Sequence, residues 1–285
     1  MKPPPFDYHD PRSIDEAVAL LAECGDEGKA LAGGQSLVPL LNFRLAQPAA
    51  LVDLNRVAEL SYLRRRDGRL QIGAMCRQAR LELSPVAKEG WPLLGAGLAL
   101  VAHPQIRNRG TVGGSAAHSD PAAELPVALT ALDARFKARS VRGDRALSAD
   151  DFFVTHLTTA LEPDELLVEI EVPALPERTG HAFHEYSRRH GDFALGGAAV
   201  TYTKGDGDRC SAARIVLLGA ADVPLRARDG EQALEGQVMN EELAREAAKV
   251  AVRDIEPTGD IHGSGDYRKR LIEAMVRRAV LEAAA

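Results

Sequence analysis

Two short segments carry the residue types best able to hold a ligand. "LAGGQS" (31–36) and "TVGGSA" (111–116) each place two glycines and a hydroxyl residue behind an apolar lead-in, and Gly33 and Gly113 stand 80 residues apart. Glycine lets main-chain N–H groups approach an anion with no Cβ in the way, and it tolerates positive φ. Consecutive N–H groups in such a bend form an anion-binding concavity, to which a following helix adds its positive end. A single Gly-Gly after a strand is usually an ordinary turn. Two of like make-up can converge on one pyrophosphate. Neither matches GxGxxG or GxxxxGK[ST], so the pattern points away from a Rossmann site and a P-loop and toward a phosphate-bearing cofactor held by backbone.

Other residues with chemical potential carry weaker signals. His181-x-x-His184 has the spacing of a metal pair but no third ligand in the stretch, which makes a solvated linker the better reading. Ser115, His118 and Asp120 are catalytic types in close sequence, yet a triad is defined by geometry and not adjacency. Cys24, Cys76 and Cys210 are too few and too far apart to ligate an iron–sulfur cluster or a structural zinc, and Met75 and Cys76 read as packing residues.

The elements that must position these bends can be read locally. Ser13–Glu16 is a capping box ahead of Ile14, Val18 and Leu21, and a strand over 29–32 leads into the first bend. Ser36 is expected to cap a helix reaching Leu45, with Pro39 harmless in its first turn, and 51–54 reads as a strand. Asp67-Gly68 is a tight hairpin turn between 62–66 and 69–73, and 166–172 reads as a half-buried strand. Residues 173–180 read as a linker. A hairpin follows, with arms 198–202 and 213–219. Two amphipathic helices come next, capped by Asn240 (carrying Leu243, Ala247, Val250) and by Ser264 (Leu271, Ile272, Met275, Val276, Ala279), both expected on the last sheet. The fold class expected is α+β, in three units over 1–57, 58–176 and 177–285.

Composition sets the class of partner. With 35 basic and 41 acidic residues the net charge is −6 and the basic residues are scattered, which disfavours a nucleic-acid face. The start, "MKPPPFDYHDPRS", lacks the apolar core of a secretory signal, and no stretch nears 18 apolar residues. With sparse cysteines, this reads as a cytoplasmic protein.

Five segments, "LAGGQSLVPLLNFRLAQPAALVDLNRV", "IGAMCRQARLE", "HPQIRNRGTVGGSAAHSDPAAELP", "SRRHGDFALGGAA" and "DYRKRLIEAMVRRAV", together resemble the FAD-binding medium subunit of molybdenum hydroxylases, the group of carbon monoxide dehydrogenase and the flavin domain of xanthine dehydrogenase. The resemblance implies a two-subdomain FAD-binding fold of the vanillyl-alcohol oxidase type plus a C-terminal sheet-and-helix domain. It implies that FAD lies between the two bends, with Ala32, Gly33, Gly34, Gln35 and Ser36, flanked by Leu31 and Leu37, on one side and Thr111, Gly113, Gly114 and Ser115 on the other. Leu167 is implied to touch the ring system or adenine, Asp192 to lie near the isoalloxazine, and Ala102 to belong to the cofactor site. Glu124 stands where the family has an aspartate on the cofactor, and His184 where xanthine dehydrogenase relatives have a lysine.

Implied partners are a small subunit with two [2Fe–2S] clusters and a large molybdopterin subunit, arranged as a dimer of heterotrimers. FAD in this chain would take electrons from the clusters and pass them to an external acceptor, and no residue here is expected to act as a general base. Arg107 and Arg109 are expected near the flavin edge, docking the iron–sulfur subunit, or else paired with surface carboxylates. Rival readings are a self-sufficient FAD-dependent oxidase or dehydrogenase, and a non-catalytic nucleotide-binding scaffold.

Overall fold

The computed structural model describes residues 2–285. Its first unit is a small parallel sheet of β1 (Asp7–His9), β2 (Gly28–Leu31) and β3 (Ala50–Asp53), in the order β1-β3-β2. Helix α1 (Ile14–Cys24) begins where the Ser13 hydroxyl accepts from the Glu16 N–H, and Glu16 returns the bond to the Arg12 N–H. Its buried Ala17, Val18 and Leu21 pack with Val52 of β3 in one apolar cluster. The chain leaves β2 directly into the first glycine bend, then forms α2 (Leu37–Asn42). That helix is shorter than the sequence predicts. Ser36 makes no side-chain cap bond, and Arg44, at φ 59, ends the run before Leu45.

The second unit is an antiparallel sheet built from β4 (Leu63–Arg66), β5 (Arg69–Gly73), β6 (Arg135–Ser140), β7 (Gly143–Ser148) and β10 (Leu166–Val172), ordered β4-β5-β10-β6-β7; β8 (Phe153–Thr155) and β9 (Thr158–Thr159) form a separate small hairpin. Asp67 and Gly68 both take positive φ, as a two-residue turn matched to strand twist requires. Between β5 and β6 run six short helices: α3 (Gln78–Leu83), α4 (Pro85–Gly90), α5 (Pro92–Leu98), α6 (Pro104–Arg109), α7 (Val112–His118) and α8 (Glu124–Ala131). Their core holds Trp91, whose indole N–H donates to the Pro173 carbonyl at 2.6 Å. Phe136 and Phe152 stack there with centroids 4.1 Å apart, and Phe153 meets both edge-on.

The third unit is the antiparallel sheet β11 (Thr179–Tyr186), β12 (Gly196–Lys204), β13 (Cys210–Leu218), β14 (Leu225–Arg226), in that order. Strand alternation divides its side chains between two cores. Phe183, Ala199, Val216 and Leu218 join the core of the second unit, while Ala182, Ala198, Val200, Ile215 and Leu217 join that of the C-terminal helices. Burial on both faces explains why β12 and β13 read as near-continuous apolar runs instead of alternating ones. The helices are α10 (Arg228–Leu234), α11 (Glu241–Ala251) and α12 (Gly265–Ala283), following α9 (Ala149–Phe152) in the second unit. Asn240 and Ser264 cap α11 and α12 as the sequence indicates. Of these two, α12 lies on the sheet, while α11 rests on α12 and on α10, which itself packs against β13.

Residues 179 and 180, which the sequence reading assigns to a linker, already belong to β11, and His181 and His184 sit within that strand. The strand begins early because Gly180 lets it run against α12: a Cβ there would stand 1.9 Å from the Ala283 carbonyl oxygen.

Candidate functional site

The two glycine bends meet. A Cβ on Gly33 would lie 2.5 Å from the Arg109 carbonyl oxygen and 2.8 Å from Gly110 Cα, and one on Gly114 would lie 3.3 Å from the Ala32 Cβ. At Gly33 the contact is main chain on main chain, and only glycine permits it. Gly34, at φ 72, supplies the left-handed kink that turns the chain from β2 into α2.

The bends differ in what they offer. In the first, the N–H groups of Gly33, Gly34, Gln35 and Ser36 have no acceptor among the described residues, while the Gln35 side-chain amide donates back to the Gly33 carbonyl at 2.9 Å. Four successive free donors next to a positive-φ glycine form the anion cradle the sequence indicates. In the second bend the donors are already used. Val112 N–H donates to Cys76 O, Gly113 N–H to Ala74 O, Gly114 N–H to the Thr111 hydroxyl and Ser115 N–H to Thr111 O. This corrects the picture of amides gripping from both sides. The second bend is instead a wall stitched to residues 74–78, with Thr111 buried and its hydroxyl already taken by the Gly114 N–H. The "IGAMCRQ" segment is its mounting, with Met75 and Cys76 buried and the Cys76 thiol pushed up to about 11 by burial.

Beneath the contact runs a chain of polar groups. Asp53 accepts from the Tyr8 hydroxyl at 2.6 Å and from the Asn55 N–H and side-chain amide. These bonds, with Arg109 nearby, hold its carboxyl below the usual range against the opposing effect of burial. The Asn55 amide also donates to the Ala32 carbonyl at 2.9 Å, and its oxygen accepts from Arg77 at 2.6 Å. Arg77 in turn donates to the Arg109 carbonyl. Sequence reasoning missed Asn55 and Arg77; the turn "DLN" after β3 carries a local signal for Asn55, but nothing local marks Arg77.

The remaining candidates fall at four places. Ala102, at φ 39, precedes His103, whose ring fills the space a Cβ on Gly191 would need, 2.6 Å from Cε1; Asp192 is the next residue and pairs with Arg188 at 3.5 Å. The loop 187–193 of the third unit thus closes on the second at this point. Leu167 is 4% exposed, inside the core of the second unit. His184 departs from expectation. Pleating sends Phe183 toward α5 and His184 to the opposite face, where Nε2 lies 2.7 Å from Glu282 on α12.

Glu124 opens α8, 8% exposed and unpaired with any cation among the described residues. Burial, chiefly, pushes its carboxyl up to about 7, aided by Asp120 and opposed by its own backbone N–H. Glu185, missed by sequence reasoning, is pushed up to about 8, first by burial and then by Glu124, and its Oε2 has no hydrogen-bond partner.

Arg107 takes the second of its two expected readings, a pair with a carboxylate. It is no docking arginine: at 8% exposed it makes a two-pronged pair with Glu82 (2.8 and 3.1 Å) and donates to the Val101 carbonyl. Arg107→Ala should cost about 3 kcal/mol in urea unfolding, the low end for breaking a buried pair because Glu82 keeps some solvent. Arg109→Ala, on an exposed side chain, should stay within about 0.5 kcal/mol.

His118 Nε2 and Asp120 Oδ2 are 4.0 Å apart with no bond from Ser115, so the three do not form a triad. Among the described residues no group of three or more His, Cys, Asp or Glu could hold a metal, and no helix is long and apolar enough to cross a membrane.

A backbone anion cradle backed by a glycine-packed wall defines a nucleotide-cofactor subunit. Residues 4–175 match the FAD binding domain in molybdopterin dehydrogenase, and residues 181–283 the CO dehydrogenase flavoprotein C-terminal domain; the chain belongs to this family of FAD-binding medium subunits of molybdenum hydroxylases. It is 46% identical to the 6-hydroxypseudooxynicotine dehydrogenase complex subunit alpha of Paenarthrobacter nicotinovorans, over 99% of this chain and 96% of that one. It is 41% identical to the carbon monoxide dehydrogenase medium chain of Hydrogenophaga pseudoflava, over 98% and 97%. A solved structure of that dehydrogenase superposes with a TM-score of 0.96, covering 99% of this chain and 98% of that one. Quinoline 2-oxidoreductase from Pseudomonas putida 86 does so at 0.95, with 42% identity and coverage of 100% and 98%.

The relatives are oxidoreductase subunits of multi-subunit complexes, and FAD is the cofactor of this family. The four free amides of the first bend and the Cβ-free contact between Gly33 and the second bend fit a diphosphate.

Proposed function

We propose that this chain holds FAD with its diphosphate on the N–H groups of Gly33, Gly34, Gln35 and Ser36, opposed by the Thr111–Ser115 wall, with Leu31, Ala32 and Leu37 completing the first side. The reading extends to Ala102, Glu124 and Asp192 along the junction with the third unit, where the ring system would lie; Leu167 would act from the core behind it. His184 would then help only indirectly, by tying β11 to α12.

When bound, FAD supplies the exchange of electrons between one-electron donors and an acceptor. The chain's own residues bind and orient it and exclude water from the junction. The electrons would come from [2Fe–2S] clusters in a small subunit, after substrate hydroxylation at a molybdopterin centre in a large one. The three free cysteines of this chain leave no cluster site in it, consistent with that division. The proposed assembly is a dimer of heterotrimers in the cytoplasm, the reducing setting that sparse, unbridged cysteines suit.

The observation that carries this reading is the run of unsatisfied amides beside the touching bends. Purified full-length chain, reconstituted with FAD, is expected to show flavin absorption near ~370 and ~450 nm. The native complex should contain iron–sulfur and molybdenum subunits as well. A chain that stays colourless with excess FAD rejects the reading, as does a yellow chain that oxidises an organic substrate unaided.

A further inference from the structure

We propose that Asn55 is a positioning residue for the cofactor, the pin that sets the distance between the two glycine bends. The inference rests on the FAD reading above. Its side chain is the middle of a bridge: the amide nitrogen donates to the Ala32 carbonyl in the first bend, and the amide oxygen accepts from Arg77. Arg77 donates onward to the carbonyl of Arg109, the same oxygen against which Gly33 is packed. One asparagine and one arginine therefore connect the backbone at the start of the first bend to the backbone that leads into the second.

The geometry of the bridge is fixed from below. Asp53 holds the Asn55 amide at 2.5 Å and the Asn55 N–H at 2.9 Å, and Tyr8 holds Asp53. Asparagine is the residue that can donate to two acceptors and accept from a third at this length of side chain. Arginine supplies two forked donors at a set angle, one for Asn55 and one for the Arg109 carbonyl. No part of the bridge touches the free amides of Gly33 to Ser36. It tethers the carbonyl just before them and takes none of their N–H groups.

Bends fixed relative to each other before the ligand arrives spare the ligand the cost of ordering them. Loss of the pin should therefore appear in cofactor affinity more than in the stability of the chain without cofactor. The test uses the full chain stripped of flavin. FAD affinity is measured by quenching of flavin fluorescence, and thermal unfolding is measured without FAD. Asn55→Ala is expected to weaken FAD binding about tenfold, a change of about 1.4 kcal/mol, with the melting temperature of the cofactor-free chain shifting by no more than about 2 °C.

Arg77→Lys, which keeps the charge but not the fork, is expected to weaken binding about three- to fivefold, and gives a second reading should Asn55→Ala fold poorly. Affinity within twofold of wild type for both variants overturns the proposal. So does a loss of affinity matched by a large fall in the cofactor-free melting temperature, which would make Asn55 merely structural. Failure of the wild-type chain to bind FAD at all would instead reject the cofactor reading on which the proposal stands.

Discussion

Gly33→Ala is expected to yield a folded chain that binds FAD at least about 100-fold more weakly than wild type, a loss of about 2.7 kcal/mol. The new methyl group would meet the Arg109 carbonyl oxygen at 2.5 Å and Gly110 Cα at 2.8 Å. Both obstacles are backbone, and the Arg109 carbonyl is also held by Arg77, so neither can swing aside. The first bend must then lift off the wall, and its free amides move with it. Overpacking of this kind costs about 1–3 kcal/mol where neighbours are fixed.

Gly34→Ala is a useful comparison. There the methyl would face the flexible Val38 side chain at 3.1 Å, and the main penalty is the left-handed φ of 72, about 1–2 kcal/mol. At Gly90 nothing lies within 4 Å, so Gly90→Ala should leave FAD binding unchanged. Fluorescence titration of the three variants should rank them Gly33, Gly34, Gly90 in order of damage. Wild-type affinity in Gly33→Ala would show that the contact between the bends is irrelevant to the cofactor.

Glu185→Gln is expected to stabilise the cofactor-free chain at pH 8.5 and to do almost nothing at pH 4. The sign follows from the direction of the shift. Burial raises the folded-state values of Glu124 to about 7 and Glu185 to about 8, above the 4.5 of an ordinary glutamate. Each acid therefore favours the folded chain fully below about pH 4.5, and that contribution is lost as pH rises through 7 and 8. Above the upper value both are ionised without a cation beside them, and Glu185 Oε2 has no donor to satisfy it. A glutamine removes the charge, and it removes the repulsion felt by Glu124.

The quantity to measure is the difference in unfolding free energy between variant and wild type from pH 4 to 9. It should climb from about pH 4.5, where the unfolded glutamate ionises, to about pH 8, and level off above that. A flat difference would mean that Glu185 gains a partner or solvent on ionisation. Comparing with wild type at each pH cancels the opposite trend from Asp133 and Asp144, whose arginine partners lower their values and which cost stability as pH falls.

What could be read from the chain alone was mostly what neighbours in sequence decide. Ser13, Asn240 and Ser264 cap helices because the donor each satisfies lies two or three residues ahead. Asp67-Gly68 turns because two residues must take positive φ. The paired glycine bends were legible as types, and so was the outline of three sheets with helices. The failures all involve the choice of face or partner across the fold.

Ser36 looked like a cap, but its backbone is already helical, so its hydroxyl has no orphan donor to meet. The second bend looked like a donor site, but its amides close onto residues 74–76 and 111, a pairing set by docking of distant segments. For Arg107 the sequence leaves docking and carboxylate pairing open, and only α3, which brings Glu82 beside it, decides for the pair. His184 stands where relatives carry a lysine, but which face it takes is set by the pleat: one step puts Glu185 on the side that senses Glu124 and the histidine on the side of α12.

The C-terminal sheet has one further consequence. Because successive side chains of β12 and β13 drop alternately into two different cores, the sheet serves as a shared floor for both halves of the molecule. Neither half can be trimmed away, traded for another or swung open like a door without laying bare the apolar underside of the other. A change in the packing of either half is therefore transmitted through β12 and β13 to the other.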